Sequence, residues 1–441
     1  MALRRTEVPD GLKVSGRKPR RGRRGIALVA ILAALVGGCV HDPSFPMHDL
    51  QVELNRVPAP AVRRVLAAPE TYRVQILVSE VVDGPGGRLG LRRHGYRLGA
   101  EYFYPASSIK LCAAVAALQF VEGAGAGAGG EAEVEAWLDR PMEIAALFDG
   151  DVAQVGDPLS AEQPGAGSVP ITLRREIRKL ALVSDNVAFN RLFDVVGHEA
   201  LNRSMHALGH RSVVINHRLS EIRAIPDPLA SAAVRWPGAG GGDREIAVPA
   251  RRSTLSLSNS AAGLRVGVAY LRGEERVPEP MDFTRRNGIS LVDLQNLLVQ
   301  VVRPDVELGL PRLALDPARR RLLVEAMTQY PRESADPRYE AGAYPDHYSK
   351  FLLPGIRRVV SSTVPGARVE VTGKIGRAYG FSVENAYVQE PRAGRGVFVT
   401  AVIYTNEDGV LNDDRYEYET VADPFLADLG EWVARCWLRL R

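Results

Sequence analysis

A serine and a lysine three residues apart, Ser107 and Lys110, are the residues of this chain best suited to nucleophilic chemistry. They stand where a polar stretch gives way to an apolar run, which predicts the start of a helix. On a helix the two side chains share a face, so the lysine amine can reach the serine hydroxyl. An amine whose pKa is lowered by burial can accept the hydroxyl proton, and the helix N-terminus favours the negative charge that develops during attack. The pattern alone is not diagnostic, because Ser15 and Lys18 repeat it within a basic leader.

The elements around this pair predict how it is positioned. The β-rich stretches cover residues 72–82, 88–98, 368–372, 381–388 and 396–403. Helical patterns cover the run after Ser107 and residues 171–196 (broken at 184–186), 199–208, 290–302, 317–328 and 421–438. We therefore expect an α+β fold, an α/β sandwich in which an antiparallel sheet from both chain ends is flanked by helices. A mostly helical domain, about residues 113–365, would be inserted between the two ends.

The stretch up to Cys39 predicts an export signal. Several arginines and lysines precede the apolar run of residues 26–36, which is too short to span a bilayer. Val36-Gly37-Gly38-Cys39 resembles the lipobox of bacterial lipoproteins, which implies cleavage that leaves Cys39 as a lipidated N-terminus. An ordinary signal peptide with an incidental cysteine is the alternative. We expect an exported, membrane-anchored protein facing the periplasm or the cell exterior, with residues 40–70 as a tether and residues 71–441 as the folded domain.

Charge and composition restrict the partners. Residues 1–25 carry nine Lys/Arg and two Asp/Glu, so the net charge of +4 falls to near −3 (+4 − 7) without this leader. No basic tract suited to nucleic acid remains, and we expect a monomer that binds a small molecule and, through Cys39, a membrane. The other cysteines, Cys112 and Cys436, are too few for a disulfide framework, although one bridge between them stays possible.

Three histidines, His206, His210 and His217, have a spacing that could serve a metal site. Gly209 is expected to end the helix between the first two of them, which favours surface or capping roles instead. We expect neither a metal nor another cofactor.

Two further motifs follow Ser107 and Lys110 in chain order. Ser184-Asp185-Asn186 interrupts two predicted helices, and Lys374-Ile375-Gly376 follows a predicted strand. Each motif alone is better explained as a plain helix cap or a strand end. In this order and context the three motifs resemble S-x-x-K, S-D-N and K-T-G of the class A serine β-lactamases and their penicillin-binding relatives. The resemblance extends over about residues 70–441 and implies a β-lactam or peptidoglycan-like substrate.

The resemblance implies catalytic roles for the first two motifs. Ser107 would attack the carbonyl carbon of the β-lactam, and Lys110 would help to remove its proton. Ser184 would relay a proton to the leaving nitrogen, and Asn186 would orient Lys110 and the amide side chain of the substrate.

It also implies binding roles for the third motif. Lys374 would supply positive charge for the substrate carboxylate and for Ser184. The backbone N–H groups of Ser107 and Arg377 would form the oxyanion hole, with Gly376 allowing close approach. Ile375 stands where the family usually has a hydroxyl residue, so one hydrogen bond to the substrate carboxylate is missing, and we expect the Arg377 side chain to replace it in part.

Release of the acyl group is the step with the weakest support in the sequence. Residues 218–228 resemble the omega-shaped loop that carries the deacylating glutamate of the family, yet the usual Glu-x-x-Leu-Asn run is absent. Glu221 is either that base or a solvated loop carboxylate. Without a base the acyl-enzyme would persist, as in a penicillin-binding protein.

Three functions therefore remain open: a β-lactamase, a D-Ala-D-Ala peptidase or esterase on the same fold, and a non-catalytic lipoprotein that binds cell-wall fragments. The intervals between the motifs, from Ser107 to Ser184 and from Ser184 to Lys374, are longer than is usual in the family. We expect insertions near residues 123–168 and 226–285 to remodel the rim of the cleft.

Overall fold

The computed structural model describes residues 46–125, 131–158, 167–221, 227–238, 246–363 and 369–440. The predicted signal with Cys39 therefore lies outside the described residues. The helices are α1 Gln51–Asn55, α2 Pro60–Leu66, α3 Lys110–Gly125, α4 Glu131–Asp139, α5 Leu173–Leu182, α6 Asn186–Val196, α7 His198–Ala207, α8 Leu291–Val302, α9 Pro317–Thr328, α10 Leu353–Thr363 and α11 Asp423–Cys436. The strands are β1 Met47–Asp49, β2 Gln75–Asp83, β3 Leu89–Tyr96, β4 Glu143–Ile144, β5 Asp157–Pro158, β6 Ser168–Val169, β7 Ala230–Ser231, β8 Val234–Trp236, β9 Ile246–Val248, β10 Arg251–Arg252, β11 Arg265–Val266, β12 Ala269–Arg272, β13 Glu275–Val277, β14 Met281–Asp282, β15 Glu370–Gly373, β16 Gly376–Ala378, β17 Phe381–Glu390, β18 Arg395–Tyr404 and β19 Val410–Leu411.

The main sheet has seven strands in the order β1-β3-β2-β18-β17-β15, with β16 also paired to β17. The hairpin β2–β3 comes from the start of the folded chain and β15 to β18 from its end, and these strands pair antiparallel. The predicted α+β fold, with an antiparallel sheet from both chain ends flanked by helices, is confirmed. The hairpin and the meander both form within a few residues of the predicted bounds.

Each face of this sheet is covered by helices. Along β18 the side chains alternate: Val399, Ala401 and Ile403 pack in one core with α2, α10 and α11, whereas Phe398 and Val402 pack in the other with α3 and α8. This two-residue period is expected for a strand buried on both faces. The sheet thus separates two hydrophobic cores, and the inserted helical region supplies the second.

Helix α3 lies at the centre of the second core. By length and composition the stretch Ala106–Gly123 could cross a membrane, but 72% of it is buried inside the protein. Its alanines, among them Ala113, Ala114 and Ala117, are fully buried and let neighbouring helices approach closely. The apolar character of α3 is therefore that of a core helix, which holds the turn before it rigidly.

The prediction of a tether over residues 40–70 is wrong for residues 47–66. Strand β1 pairs in parallel with β3, and Leu50, Leu54, Val62 and Val65 are fully or almost fully buried in the core beneath α11. Burial of these apolar side chains outweighs the weak helical patterning that suggested a flexible segment. Helices α1 and α2 belong to the folded domain.

The two ends of the segment of residues 217–287 meet in a narrow neck. Val214 and Gly288 exchange backbone hydrogen bonds of 2.8 and 2.7 Å, and the Asn287 side chain accepts from the backbone N–H of Asn216 (2.8 Å) and donates to the carbonyl of His217 (3.1 Å). Between the two ends of this segment the described residues form eight short strands, β7 to β14. These strands lie in the stretch where the sequence predicts an insertion, near residues 226–285.

The cysteines and histidines have structural surroundings. Cys112 is buried and Cys436 is exposed, and neither forms a disulfide, so the possible bridge is not made. His206 contacts the Val213 carbonyl and His210 contacts the Gln300 side chain. His206 and His210 therefore contact different residues.

Candidate active site

The predicted nucleophile lies in a tight turn that leads into α3. Residues 106–109 form a 3₁₀ turn, and the α-helix begins at Lys110. Ala106 has a φ of +47°, a left-handed conformation that is costly for a residue with a β-carbon. Ser107 is partly exposed and lines a cleft, and its hydroxyl has no hydrogen-bond partner among the described residues. The nucleophile is therefore accessible, and its hydroxyl is free to rotate.

Lys110 is buried one turn behind Ser107. Its amine donates to the carbonyl of Ser184, to Asn186 Oδ1 at 2.6 Å and to Ser184 Oγ at 3.4 Å. Burial lowers the pKa of Lys110 to about 7, and the negative charge of Asp185 offsets part of this effect. At neutral pH a large fraction of this amine is uncharged, as a proton acceptor must be.

The Ser184 hydroxyl lies between two amines. Lys374 Nζ donates to Ser184 Oγ at 2.7 Å and to the Ile375 carbonyl at 3.0 Å, while Lys110 approaches the same hydroxyl from the other side. Burial first, and then the charge of Lys110, hold the pKa of Lys374 well below its usual range. Ser184 also has a positive φ, +61°. The arrangement provides a continuous path for a proton between the two lysines.

Gly376 allows strand β16 to touch the nucleophile turn. A β-carbon at this position would lie 2.3 Å from the carbonyl oxygen of Pro105 and 3.0 Å from the backbone nitrogen of Ser107. Real β-carbons do not approach so closely, so any other residue would push the strand away. The structure thus brings the start of β16 beside the backbone N–H of Ser107.

Asn186 and Asn190 connect helix α6 to the loop that carries Glu221. Asn186 Nδ2 donates to Ser220 Oγ at 2.6 Å, and Asn190 Nδ2 donates to the Leu219 carbonyl at 3.0 Å and to Glu221 Oε1 at 3.3 Å. Glu221 lines the same cleft as Ser107. The structure therefore brings Glu221 to the cleft, held by an asparagine one helical turn beyond Asn186.

The Arg377 side chain lines the cleft but has partners of its own, and its partial replacement of the missing hydroxyl of Ile375 stays a prediction. The guanidinium forms an ion pair with Asp423, and it lies 4.3 Å from the ring centre of Phe351 and 4.7 Å from that of Tyr418. A substrate carboxylate would therefore have to compete with Asp423 for this guanidinium. Ile375 itself is buried, so its position contributes no polar contact.

A buried cluster of four charges holds the helices on either side of Ser184. Lys179 and Arg191 each pair with both Glu176 and Asp157, at distances of 2.8 to 3.2 Å. Glu176 is completely buried, and three of the four residues belong to α5 and α6. Because the Ser184 turn joins these two helices, the cluster fixes its distance from Lys110 and Lys374.

Two further buried charged residues, Lys350 and Glu384, lie near Lys374. Lys350 donates to the carbonyls of Met327 (2.5 Å) and Val371 (2.7 Å), and Glu384 accepts from the backbone N–H of Leu352 at 3.2 Å. Burial lowers the pKa of Lys350 and raises that of Glu384. Nothing in the sequence pattern indicated this pair, since its two members lie far apart in the chain and on different elements.

A cleft of about 750 Å³ opens in front of Ser107. One wall is formed by β12, which pairs in parallel with β19, and the Asn412 side chain donates to the Leu271 carbonyl at 3.0 Å. The floor includes Tyr104, whose ring is parallel to that of His217 at 6.4 Å between centres. Residues of β12, within the stretch 226–285, line the cleft.

Sequence reasoning missed several residues of this cleft. Asn190 could have been found, because it lies four residues after Asn186 on one helix. His217 was considered only as a metal ligand, whereas its Nδ1–H donates to the Arg218 carbonyl (2.6 Å) and burial lowers its pKa to about 4. Ser220 and Arg286 carried no signal, because their places depend on how the segment of residues 217–287 folds.

Comparison with known proteins adds a partial sequence match. Residues 95–236, 142 of the 441 residues, match a family model described as the beta-lactamase enzyme family. The match includes Ser107, Lys110, Ser184 and Glu221 and ends before Lys374. A search of curated proteins found no match.

Several solved β-lactamases align with most of this chain at low identity. A β-lactamase from Burkholderia ambifaria is 16% identical with a TM-score of 0.44, covering 83% of this chain and 96% of that one. A β-lactamase from Xanthomonas campestris pv. campestris is 17% identical with a TM-score of 0.43, covering 85% and 96%. One from Desulfarculus baarsii is 16% identical with a TM-score of 0.43, covering 85% and 97%. The strand order of the main sheet carries the fold assignment.

Proposed function

We propose that this protein is a serine hydrolase of the class A β-lactamase type, which opens β-lactams through an acyl-Ser107 intermediate. The observation that supports this most strongly is the Ser184 hydroxyl held between the amines of Lys110 and Lys374, beside a turn that presents Ser107 to a cleft. Acyl transfer needs a nucleophile, a base, a proton donor and an oxyanion site. The proposal assigns the nucleophile to Ser107, the base to Lys110 and the proton donor to Ser184, and it assigns the oxyanion site to backbone N–H groups.

Acylation follows from the proposed roles. Ser107 Oγ attacks the carbonyl carbon while the neutral amine of Lys110 accepts its proton, and the negative charge moves to the carbonyl oxygen. The backbone N–H groups of Ser107 and Arg377 stabilise this oxyanion. When the ring C–N bond breaks, Ser184 gives its proton to the nitrogen and regains one from the neighbouring lysines. Lys374 meanwhile supplies positive charge for the substrate carboxylate.

Deacylation is assigned to Glu221 within the same proposal. Its carboxylate is at the cleft and accepts a hydrogen bond from Asn190, which leaves it able to activate a water molecule. If Glu221 has this role, Glu221→Gln traps the acyl-enzyme, detected as a persistent mass increase of one opened β-lactam. Rapid release of the acyl group by Glu221→Gln would show that another group acts as base.

The acyl-serine step is tested with nitrocefin and purified protein. We expect turnover by the native protein and none by Ser107→Ala. Ser108→Ala is the matched control, since the Ser108 hydroxyl is buried and donates to the Pro105 carbonyl at 2.7 Å, away from the cleft. This control should keep the acylation of Ser107. Absence of any Ser107-dependent turnover contradicts the β-lactamase proposal.

Two other outcomes identify the remaining candidates. Stoichiometric acylation by a fluorescent penicillin without turnover, together with cleavage of a D-Ala-D-Ala peptide or ester, indicates a peptidase or esterase. The absence of acylation by any β-lactam or activated ester indicates a non-catalytic binding protein. Intact-mass spectrometry distinguishes these outcomes in one experiment.

We further propose that the protein is exported and anchored through a lipid on Cys39. The supporting observation is the lipobox-like sequence after an apolar run. Incorporation of a labelled fatty acid into the native chain, lost in Cys39→Ser, is the expected result. Equal labelling of both chains contradicts the anchor.

A further inference from the structure

An arginine without an acidic partner lines the cleft. The guanidinium of Arg286 makes no hydrogen bond or ion pair with any described residue, and it lies close enough to Tyr104 and His217 for its charge to affect the pKa of both. The other cleft arginines differ in this respect: Arg218 pairs with Asp194 and Arg377 pairs with Asp423. A half-buried guanidinium without a counter-ion favours an anion from solution.

The cleft carboxylates do not neutralise this charge. Asp282 accepts from the backbone N–H of Thr284 at 2.7 Å and feels the charge of Arg265, while Asp414 lies near Tyr416 and Tyr418. Neither carboxylate forms an ion pair with Arg286. Glu221, the third carboxylate that lines the cleft, accepts a hydrogen bond from Asn190. Among the described residues no carboxylate is paired with Arg286, so an anionic ligand is the partner that we consider for it.

The backbone that carries Arg286 is held rigidly. Its N–H donates to the Phe283 carbonyl at 3.0 Å, and its own carbonyl accepts from the Asn259 side chain at 2.9 Å. The next residue, Asn287, is fully buried and closes the neck of the segment, where its carbonyl also accepts from the Tyr102 hydroxyl at 2.6 Å. A fixed backbone lowers the entropy cost of binding a ligand at this position.

The position of Arg286 indicates which part of the substrate it meets. Arg286 lines the cleft together with His217, three residues before Ser220, and the Ser220 hydroxyl accepts from the Asn186 side chain. Under the proposed function, Asn186 orients the amide side chain of the substrate, whereas Lys374 faces the carboxylate on the ring. Arg286 is thus on the side of the cleft that holds the acyl substituent.

We propose that Arg286 forms an anion subsite that recognises a carboxylate on the acyl side chain, so that the preferred substrates carry two carboxylates. One carboxylate would face Lys374 and the other Arg286. This inference rests on the proposed function, because it assigns the substrate class of the same cleft. An arginine–carboxylate contact is short, paired and directional, and it discriminates strongly between ligands that differ by one charge.

Carbenicillin and benzylpenicillin test the proposal directly, because they differ only by one carboxylate on the acyl side chain. The measured quantity is the second-order rate constant for acylation of Ser107 by each compound. We expect the native protein to favour carbenicillin by at least about tenfold, the size expected for a hydrogen-bonded contact with a charged group. This preference should decrease as salt is raised, since the partly exposed pair is screened.

The variant Arg286→Gln should remove the preference while leaving the rate constant for benzylpenicillin within about threefold of the native value. A purely structural role beside Tyr104 and His217 would instead lower both rate constants equally. Arg276→Gln is the matched control, because Arg276 is exposed on β13 of the same segment and does not line the cleft. It should keep the native ratio.

A native ratio near one, or a ratio unchanged by Arg286→Gln, overturns the subsite. If neither penicillin acylates Ser107, the proposed function fails, and the subsite is then measured by binding of the two side-chain acids alone. Phenylmalonate should bind the native protein more tightly than phenylacetate, and Arg286→Gln should abolish the difference. Equal binding of the two acids by the native protein would refute the subsite independently of catalysis.

Discussion

Two amines share one hydroxyl at the centre of this site. Lys110 and Lys374 both contact Ser184 Oγ, at 3.4 and 2.7 Å, and both are almost completely removed from water. Two positive charges cannot be held together in such a place without cost, so burial and mutual repulsion favour a state with at least one neutral amine. A base is therefore present at neutral pH without help from a histidine.

The acylation rate should depend on the charge of Lys110. Only the neutral amine accepts a proton, and the pKa of Lys110 is about 7, so its neutral fraction rises as the pH rises through 7. We expect the acylation rate constant to increase about tenfold between pH 6 and pH 8 and then to level off. Stopped-flow acylation by nitrocefin measures this profile.

The matched variant for this profile is Asp185→Asn. The negative charge of Asp185 raises the pKa of Lys110, so its removal should move the rising limb to lower pH. Asparagine is also a good helix cap and can keep the role of Asp185, whose side chain accepts from the Ala188 N–H at 2.8 Å. If the rising part of the pH–rate profile stays in place or moves to higher pH in this variant, Lys110 is excluded as the titrating group.

At the scale of elements, the α5–α6 hairpin depends on its buried charges. Glu176 is completely buried and pairs with Lys179 at 3.1 Å and with Arg191 at 3.2 Å. Glu176→Gln removes the negative charge but leaves the two cations in place. We expect the free energy of unfolding to fall by about 3–5 kcal/mol, the usual cost of breaking a buried ion pair from one side. Urea denaturation followed by circular dichroism gives the value.

The control is an exposed pair on the next helix. Glu199 pairs with Arg203 at 2.8 Å, and their side chains are 40% and 67% exposed. Glu199→Gln should change the free energy of unfolding by less than about 0.5 kcal/mol. A loss for Glu176→Gln no larger than that for Glu199→Gln would show that the buried cluster does not stabilise the hairpin.

Local signals explain why most of these elements were predictable. Thr172, Asp185, Ser290 and Asp316 each cap the helix that follows, and all four side chains accept a hydrogen bond from its first turn. Each of the three motifs lies at the end of a helix or a strand, so local signals of this kind predicted its surroundings. The strands β7 to β14 are short, and β12 pairs with β19, which comes much later in the chain. No local pattern specifies such pairing, so the cleft wall and the place of Arg286 could not be predicted.

At the scale of the whole molecule, the N-terminal residues stabilise the sheet. Strand β1 extends the sheet at β3, and Leu50, Leu54, Val62 and Val65 fill the core beneath α11. The sequence suggested a tether because proline and short helices break the periodicity of this stretch. Each fully buried side chain of this size contributes about 1.5–3 kcal/mol.

Removal of these residues should destabilise the protein without altering the cleft. We expect a chain that begins at Tyr72 to unfold at lower urea concentration than one that begins at Pro46, because it exposes the face of α11 that α2 covers. The comparison needs only the two chains and one denaturation assay. Equal midpoints would mean that residues 46–71 pack on the domain without stabilising it.

The neck of the segment of residues 217–287 has an evolutionary consequence. Because Val214 and Gly288 are hydrogen-bonded to each other, the two ends of the segment stay together whatever its length. Insertions and deletions inside the segment leave the spacing of Ser107, Lys110 and Ser184 unchanged. Substrate preference in a lineage of such proteins can therefore diversify by changes of loop length, while the acylation residues Ser107, Lys110 and Ser184, which lie outside the segment, are inherited intact.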